Sequence, residues 1–158
     1  MKKLFLLAAI AACAWAQSPN RYSATTGDVS LSGAGTKLTI QQPSSNGKPL
    51  QLEAAVVYCS VACDVTQTQN GTAATATAGT ATPILPFTVP ALATIFTASN
   101  VGSGTQSGGV THLSASSPVT FDLSKIIVPV GGTASNYTFS IASITGTANI
   151  TIFWSEQQ

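Results

Sequence analysis

The only thiols outside the first sixteen residues are Cys59 and Cys63, in the segment YCSVACD. Thiolates can bind a metal or form a redox pair, whereas thiols in an oxidising compartment form disulfides. A zinc site needs about four ligands, and a thioredoxin-type pair has two intervening residues ahead of a helix. This pair has three intervening residues between strand-like flanks. The spacing therefore predicts a disulfide across a hairpin turn, with no metal and no other cofactor.

A single histidine, His112, is the only imidazole that acid–base catalysis could use. The G-x-S-x-G pattern that surrounds a nucleophilic serine is absent. The chain has five acidic residues, and nothing in the sequence brings two of them together, as glycoside hydrolysis requires. We therefore expect no catalytic residue, and an enzyme is the least favoured function class.

Aromatic rings are the remaining candidates for ligand contact, because flat rings can stack on the faces of sugars. Alternation in the last strand-like segment places Ile150, Ile152 and Trp154 on a core face and Phe153 on the opposite face. Phe153 and Tyr137 are the ligand contacts that we predict from the sequence.

The chain opens with MKKLFLLAAIAACAWAQ, in which two lysines precede an apolar run and small residues, the layout of a bacterial secretory signal. The apolar run is too short to span a bilayer. We expect residues 1–16 to be removed by cleavage after Ala16. The segment IAAC resembles the lipobox of bacterial lipoproteins, so lipidation at Cys13 is the alternative. The protein is predicted to be secreted, periplasmic or at the cell surface, with no stable membrane insertion after processing.

Charged residues make up only 7% of the chain, and the formal net charge is +1. Such a chain offers no basic stripe for nucleic-acid phosphates and no polybasic cluster for anionic lipid. Nucleic acid is therefore not an expected partner.

Residues 17–158 are predicted to form one all-β domain. Thr, Ser, Val, Ile and Gly are abundant, whereas the residues that usually cover helix surfaces are scarce. Gly- and Pro-rich turns at short intervals favour an antiparallel β-sandwich, jelly-roll or immunoglobulin-like in outline.

Two local patterns give more detail. In LQLEAAVVY, strict alternation puts Leu50, Leu52, Ala54, Val56 and Tyr58 on the core face. Near the C-terminus, YTFSIAS and ANITIFW flank ITGT, which predicts a hairpin.

One stretch fits a core poorly. Residues 71–82 alternate Ala and Thr, which predicts an edge strand or a mobile loop, and the three prolines in PILPFTVP exclude a central strand.

These features favour a non-catalytic binding module for a glycan or a surface protein, since Thr, Ser, Asn and Gln can hydrogen-bond hydroxyl-rich ligands. A structural subunit of an extracellular assembly is the alternative, in which an exposed strand edge accepts a neighbouring chain and the protein self-associates.

Overall fold

The computed structural model describes residues 19–32, 35–43, 45, 47–70, 77–78, 80–84, 89–97, 105–107, 109–131, 135–142 and 144–156. The predicted leader, its cleavage site and Cys13 lie outside these residues. Within the described ranges no helix is long and apolar enough to cross a membrane. The strands are β1 (Asn20–Thr25), β2 (Val29–Ser30), β3 (Thr36–Gln41), β4 (Leu50–Cys59), β5 (Cys63–Gln69), β6 (Thr77–Ala78), β7 (Thr82–Pro83), β8 (Thr94–Thr97), β9 (Thr105–Gln106), β10 (Thr111–Leu113), β11 (Val119–Asp122), β12 (Ile127–Val128), β13 (Asn136–Ile141) and β14 (Thr147–Glu156).

The strands form two antiparallel sheets that pack face to face. Sheet A has the order β11-β4-β14-β1-β7, and sheet B has the order β10-β5-β13-β3-β8-β6. Short strands extend both sheets, with β12 beside β4, β2 beside β14 and β9 beside β5. The predicted all-β sandwich is confirmed.

The order of eight of the strands selects between the jelly-roll and immunoglobulin-like outlines. β1, β14, β4 and β11 are neighbours in sheet A, and β3, β13, β5 and β10 are neighbours in sheet B. The chain therefore passes from one sheet to the other between β3, β4 and β5, and again between β10, β11, β13 and β14. This alternation is the strand order of a jelly roll.

The core lies between the inner faces of the two sheets. Trp154 stacks on Tyr22 with ring centroids 5.7 Å apart, and both rings are fully buried. Phe121 of sheet A meets Phe139 of sheet B edge to face at 5.6 Å, so this pair bridges the layers. Such pairs add about 1 kcal/mol each beyond the burial of their area. Ile150 and Ile152 share the face of Trp154, as predicted.

The predicted core face of β4 is right only in its first part. Leu50 and Leu52 are buried, but Ala55, Val57 and Cys59 follow them inward, and Val56 and Tyr58 lie on the outer face. The cause is a β-bulge: Phe153 of β14 pairs with Ala54 and Trp154 pairs with Leu52, so Glu53 has no partner in that strand. One extra residue reverses the alternation that follows it.

The two predicted hairpins are instead crossings between the sheets. β4 ends at Cys59 in sheet A and β5 begins at Cys63 in sheet B, while β13 lies in sheet B and β14 in sheet A. Alternation shows which residues face the core, but a sandwich offers two sheets that satisfy the same pattern. A short turn therefore does not establish that its flanking strands pair.

The two crossings touch each other. Ser60 donates its backbone N–H to the carbonyl of Thr147 at 2.9 Å, and the Ser60 hydroxyl accepts the N–H of Thr147 at 2.8 Å. A β-carbon added at Gly146, whose φ is +141°, would lie 2.8 Å from side-chain atoms of Ser60 and Val61. Only glycine allows this approach.

The low-complexity region contributes edge strands where the structure describes it. β6 is at the edge of sheet B, and β7, which contains Pro83, is at the edge of sheet A. The edge-strand prediction is confirmed for these residues, while 71–76, 79 and 85–88 lie outside the described part.

Candidate binding grooves on the outer face of sheet A

The outer face of sheet A carries a row of side chains from its two longest strands. β14 directs Asn149, Thr151 and Phe153 toward the outer face, and Ser155, the next residue of this alternation, is only 7% exposed. Alternate residues of a strand lie about 7 Å apart, so the four form an evenly spaced line. The bulge adds Val56 and Tyr58 of β4 to this face.

A groove of about 350 Å³ lies where β4 and β14 approach the crossings. We call it the Tyr58 groove. Its walls come from Asp28, Val56, Tyr58, Pro118, Asn149 and Thr151. Apolar and aromatic side chains thus line this open groove together with the polar side chains of Asp28, Asn149 and Thr151.

The amide of Asn149 is fixed by its neighbours. Its Nδ2 donates to Asp28 Oδ1 at 3.1 Å. Its Oδ1 accepts the hydroxyl of Thr25 at 2.9 Å and that of Thr151 at 3.3 Å. Among the described residues, the second amide hydrogen and Asp28 Oδ2 take part in no further hydrogen bond, so both are free for a ligand. Polar groups that are already oriented bind at lower entropic cost.

A second groove, of about 280 Å³, lies at the other end of the same face. We call it the Ile127 groove. It is lined by Pro19, Pro49, Leu50, Gln51, Ile127 and Ser155. Ile127 is 57% exposed, the largest exposure of any large hydrophobic side chain among the described residues. The groove is therefore mainly apolar.

An ion pair lies between the two grooves. Arg21 of β1 reaches across β14 to Glu53 of the bulge, with Nε 3.0 Å from both carboxylate oxygens. The Glu53 carboxylate raises the pKa of Arg21, through the hydrogen bonds first and the charge attraction second. The guanidinium side chain is 56% exposed, so its remaining surface faces solvent.

The two predicted ligand contacts have different environments. Phe153 is half-buried on the outer face, between the grooves. Tyr137 is only 1% exposed on the inner face of sheet B, and its hydroxyl donates to Gln67 Oε1 at 2.6 Å. The Tyr137 ring cannot meet a ligand, so this prediction is wrong.

The predicted disulfide joins Cys59 and Cys63, whose α-carbons are 6.3 Å apart. Both residues are buried, and the bond links sheet A to sheet B. His112 lies on the edge strand β10 of sheet B, 2.5 Å from Asp64, and its side chain is 81% exposed. Within the described ranges, no group of three His, Cys, Asp or Glu residues could hold a metal.

Sequence reasoning missed Tyr58, Asn149, Asp28 and Pro118 as neighbours in one groove. Strict alternation predicts that Tyr58 points inward, because this pattern takes no account of the bulge. Asp28 and Pro118 come from segments distant in the chain, and only the jelly-roll order brings them to β4 and β14.

No protein-family model matches the chain, and no curated protein matches it. The chain is similar in structure to a chain from the X-ray structure of tomato aspermy virus, at 13% identity and a TM-score of 0.32, over 100% of this chain and 96% of that one. At this identity and TM-score the likeness assigns no function.

Proposed function

We propose that the protein is a non-catalytic binding module, exported from the cell, that holds a neutral, hydroxyl-rich ligand such as a glycan in the Tyr58 groove. The observation that carries this proposal is the Asn149 amide, fixed by three hydrogen bonds beside the Tyr58 ring in one groove.

A sugar ring has an apolar face and a rim of hydroxyl groups, and the groove has surfaces for both. Tyr58, Val56 and Pro118 supply the apolar contact. Asp28 Oδ2 accepts a hydroxyl, and the second amide hydrogen of Asn149 donates to one. The described residues that line the groove include a carboxylate and no cation, which disfavours acidic sugars.

The same residues support the proposal that the protein binds its ligand without turnover. Among the described residues that line the groove, Asp28 is the only carboxylate, whereas glycoside hydrolysis requires two flanking the scissile bond. His112 lies on the other sheet and is paired with Asp64.

Two features support export. The sequence has the layout of a secretory signal, and the disulfide is typical of oxidising compartments. Intact-mass analysis of the exported protein checks the processing: we expect a chain that begins at Gln17. Lipid attached to Cys13 would instead establish the alternative route.

A glycan array with neutral, amino and acidic polysaccharides tests the binding function. We expect a monomer that retains neutral glycans. Tyr58→Ala and Asn149→Ala should each lose about tenfold or more in affinity, the usual effect of removing a central contact.

Thr120→Val on the same face and His112→Ala on sheet B are matched controls that should bind like the wild type. Thermal unfolding confirms that each variant is folded. The proposal fails if no glycan is retained, or if Tyr58→Ala binds normally. Polymers in light scattering would support an assembly role, and a hydrolase activity lost in His112→Ala would refute the non-catalytic function.

A further inference from the structure

We propose that the outer face of sheet A binds an extended glycan chain, which runs from the Tyr58 groove across Phe153 to the Ile127 groove. This inference rests on the proposed function and defines its ligand as a polymer segment instead of a single sugar.

The two grooves lie on one continuous line. Asn149 and Thr151 belong to the first groove, Phe153 follows on the same face, and Ser155 belongs to the second. Asn149 and Ser155 are six residues apart, which corresponds to about 20 Å along a strand. On β4, Tyr58 and Val56 line the first groove and Gln51 lines the second. One ligand that follows these strands contacts both grooves and passes over the Arg21–Glu53 ion pair, which crosses β14 between them.

In the middle of this line the Phe153 ring is half-buried and has small neighbours. Phe153 lies opposite Ala54 of β4 and Ser23 of β1, both of which are small. These neighbours leave the half-buried ring accessible from above. A sugar placed on this ring continues the chain that starts in the Tyr58 groove.

The ion pair beside Phe153 adds oriented donors. Glu53 holds Arg21 across β14, and the Arg21 side chain is still 56% exposed, so its remaining N–H groups face solvent. Since the planar fork of arginine loses little freedom when its partner already holds it, these donors are suited to the hydroxyls of a chain.

The Ile127 groove completes the path with an apolar end. Its two prolines and the exposed Ile127 offer flat, rigid surfaces, and Gln51 is held in place by donating to the carbonyl of Ser124 at 2.7 Å. A chain too short to pass Phe153 never reaches this groove.

Calorimetric titration with neutral cello-, xylo- and manno-oligosaccharides, from disaccharide to hexasaccharide, tests the inference. For the series that binds, we expect the hexasaccharide to bind about tenfold or more tightly than the disaccharide, since each stacked ring contributes on that scale. Phe153→Leu, which keeps an apolar side chain but removes the ring, should abolish most of this gain and leave disaccharide binding unchanged.

Ile127→Ser changes an exposed side chain and should weaken only the longest ligands. Tyr58→Ala should weaken all lengths alike. Equal affinity for all lengths, or a gain that survives both Phe153→Leu and Ile127→Ser, overturns the extended path while the Tyr58 groove stands. If no series binds, the proposed function fails, and the extended path fails with it.

Discussion

The outer faces of the two sheets differ in how far their side chains are exposed to solvent. On sheet A the outer face carries two grooves, a half-buried ring and an exposed arginine. On sheet B, Thr39, Thr138 and Asn136 lie on the face opposite the core, yet they are 2% exposed or less. Over β3 and β13, the polar residues that would suit a hydroxyl-rich ligand are therefore closed to solvent, whereas Thr66 and Thr68 of β5 are half-buried. The two grooves described above lie on the more mixed sheet A.

One side-chain hydrogen bond joins two buried hydroxyls on the outer face of sheet B. Thr39 and Thr138 lie opposite each other in neighbouring strands, with their hydroxyl oxygens 2.9 Å apart. Buried hydroxyls cost free energy unless they are paired. These threonines thus have a structural role in sheet B, and an abundance of threonine in a sequence does not by itself indicate a binding surface.

The largest expected effect on stability concerns the β-bulge in β4, which turns Val56 and Tyr58 to the outer face of sheet A. Val57→Asp should destabilise the protein by about 4 kcal/mol or more, because it places a charge in the closed core. Val56→Asp, one residue earlier, should cost about 1 kcal/mol, because that side chain faces outward. Chemical denaturation measures both.

If β4 had no bulge, Val56→Asp would cost more stability than Val57→Asp. If Val56→Asp unfolds the protein and Val57→Asp does not, Tyr58 points inward and there is no Tyr58 groove. The same experiment therefore tests both the register and the site.

The second effect concerns the crossing that joins the two sheets. Replacing Cys59 and Cys63 by alanine should cost about 2 kcal/mol, the loop-closure entropy for so short a loop. Replacement by serine should cost about 1 kcal/mol more, because both positions are buried and a hydroxyl there needs a partner. Both variants should fold.

Thiol titration of the denatured wild type, without reductant, is the control for this pair. Two reactive thiols in that sample would show that the disulfide does not form, and the stability differences would then have another origin.

β4 and β14 show how well the buried face of a strand could be predicted from the sequence. Both are ten residues long. β14 keeps strict alternation through Trp154, so its inner face was predicted correctly. β4 contains one residue more than its partner opposite Phe153, and no residue type marks that position. Burial of either face of AAVVY would satisfy the hydrophobic pattern, and only pairing with β14 selects between them.

The site was less predictable than the fold for a related reason. Composition and alternation report whether a residue is buried, which is local information. The Tyr58 groove depends on which strands are neighbours, and two short links that resembled hairpins actually change sheets. Phe153 was placed correctly because its strand is regular. Tyr137 was not, although the alternation of β13 places it on the core face with Phe139 and Ile141.

A third prediction tests the closed face of sheet B. Thr138→Val should cost about 1 kcal/mol, the usual net value of a buried hydrogen bond. The exposed Thr120→Val on sheet A should stay within about 0.5 kcal/mol. A double-mutant cycle with Thr39→Val isolates the coupling between the two hydroxyls. Equal, negligible costs for Thr138→Val and Thr120→Val would mean that both faces are open to water.

The smallest effect on stability at neutral pH concerns the buried Tyr137. Burial raises the pKa of Tyr137, and a side-chain hydrogen bond with Ser107 partly opposes that rise. The unfolded chain loses its phenolic proton near pH 10, while the native state keeps it to higher pH. The contribution of protonated Tyr137 to the free energy of unfolding is thus fully present below about pH 10, and it is lost as the pH rises through the raised pKa of this residue. Tyr137→Phe should remove this part of the alkaline decline in stability, measured by denaturation across that range. Tyr58→Phe on the outer face of sheet A is the matched comparison, and an equal change in the two variants would contradict the burial of Tyr137.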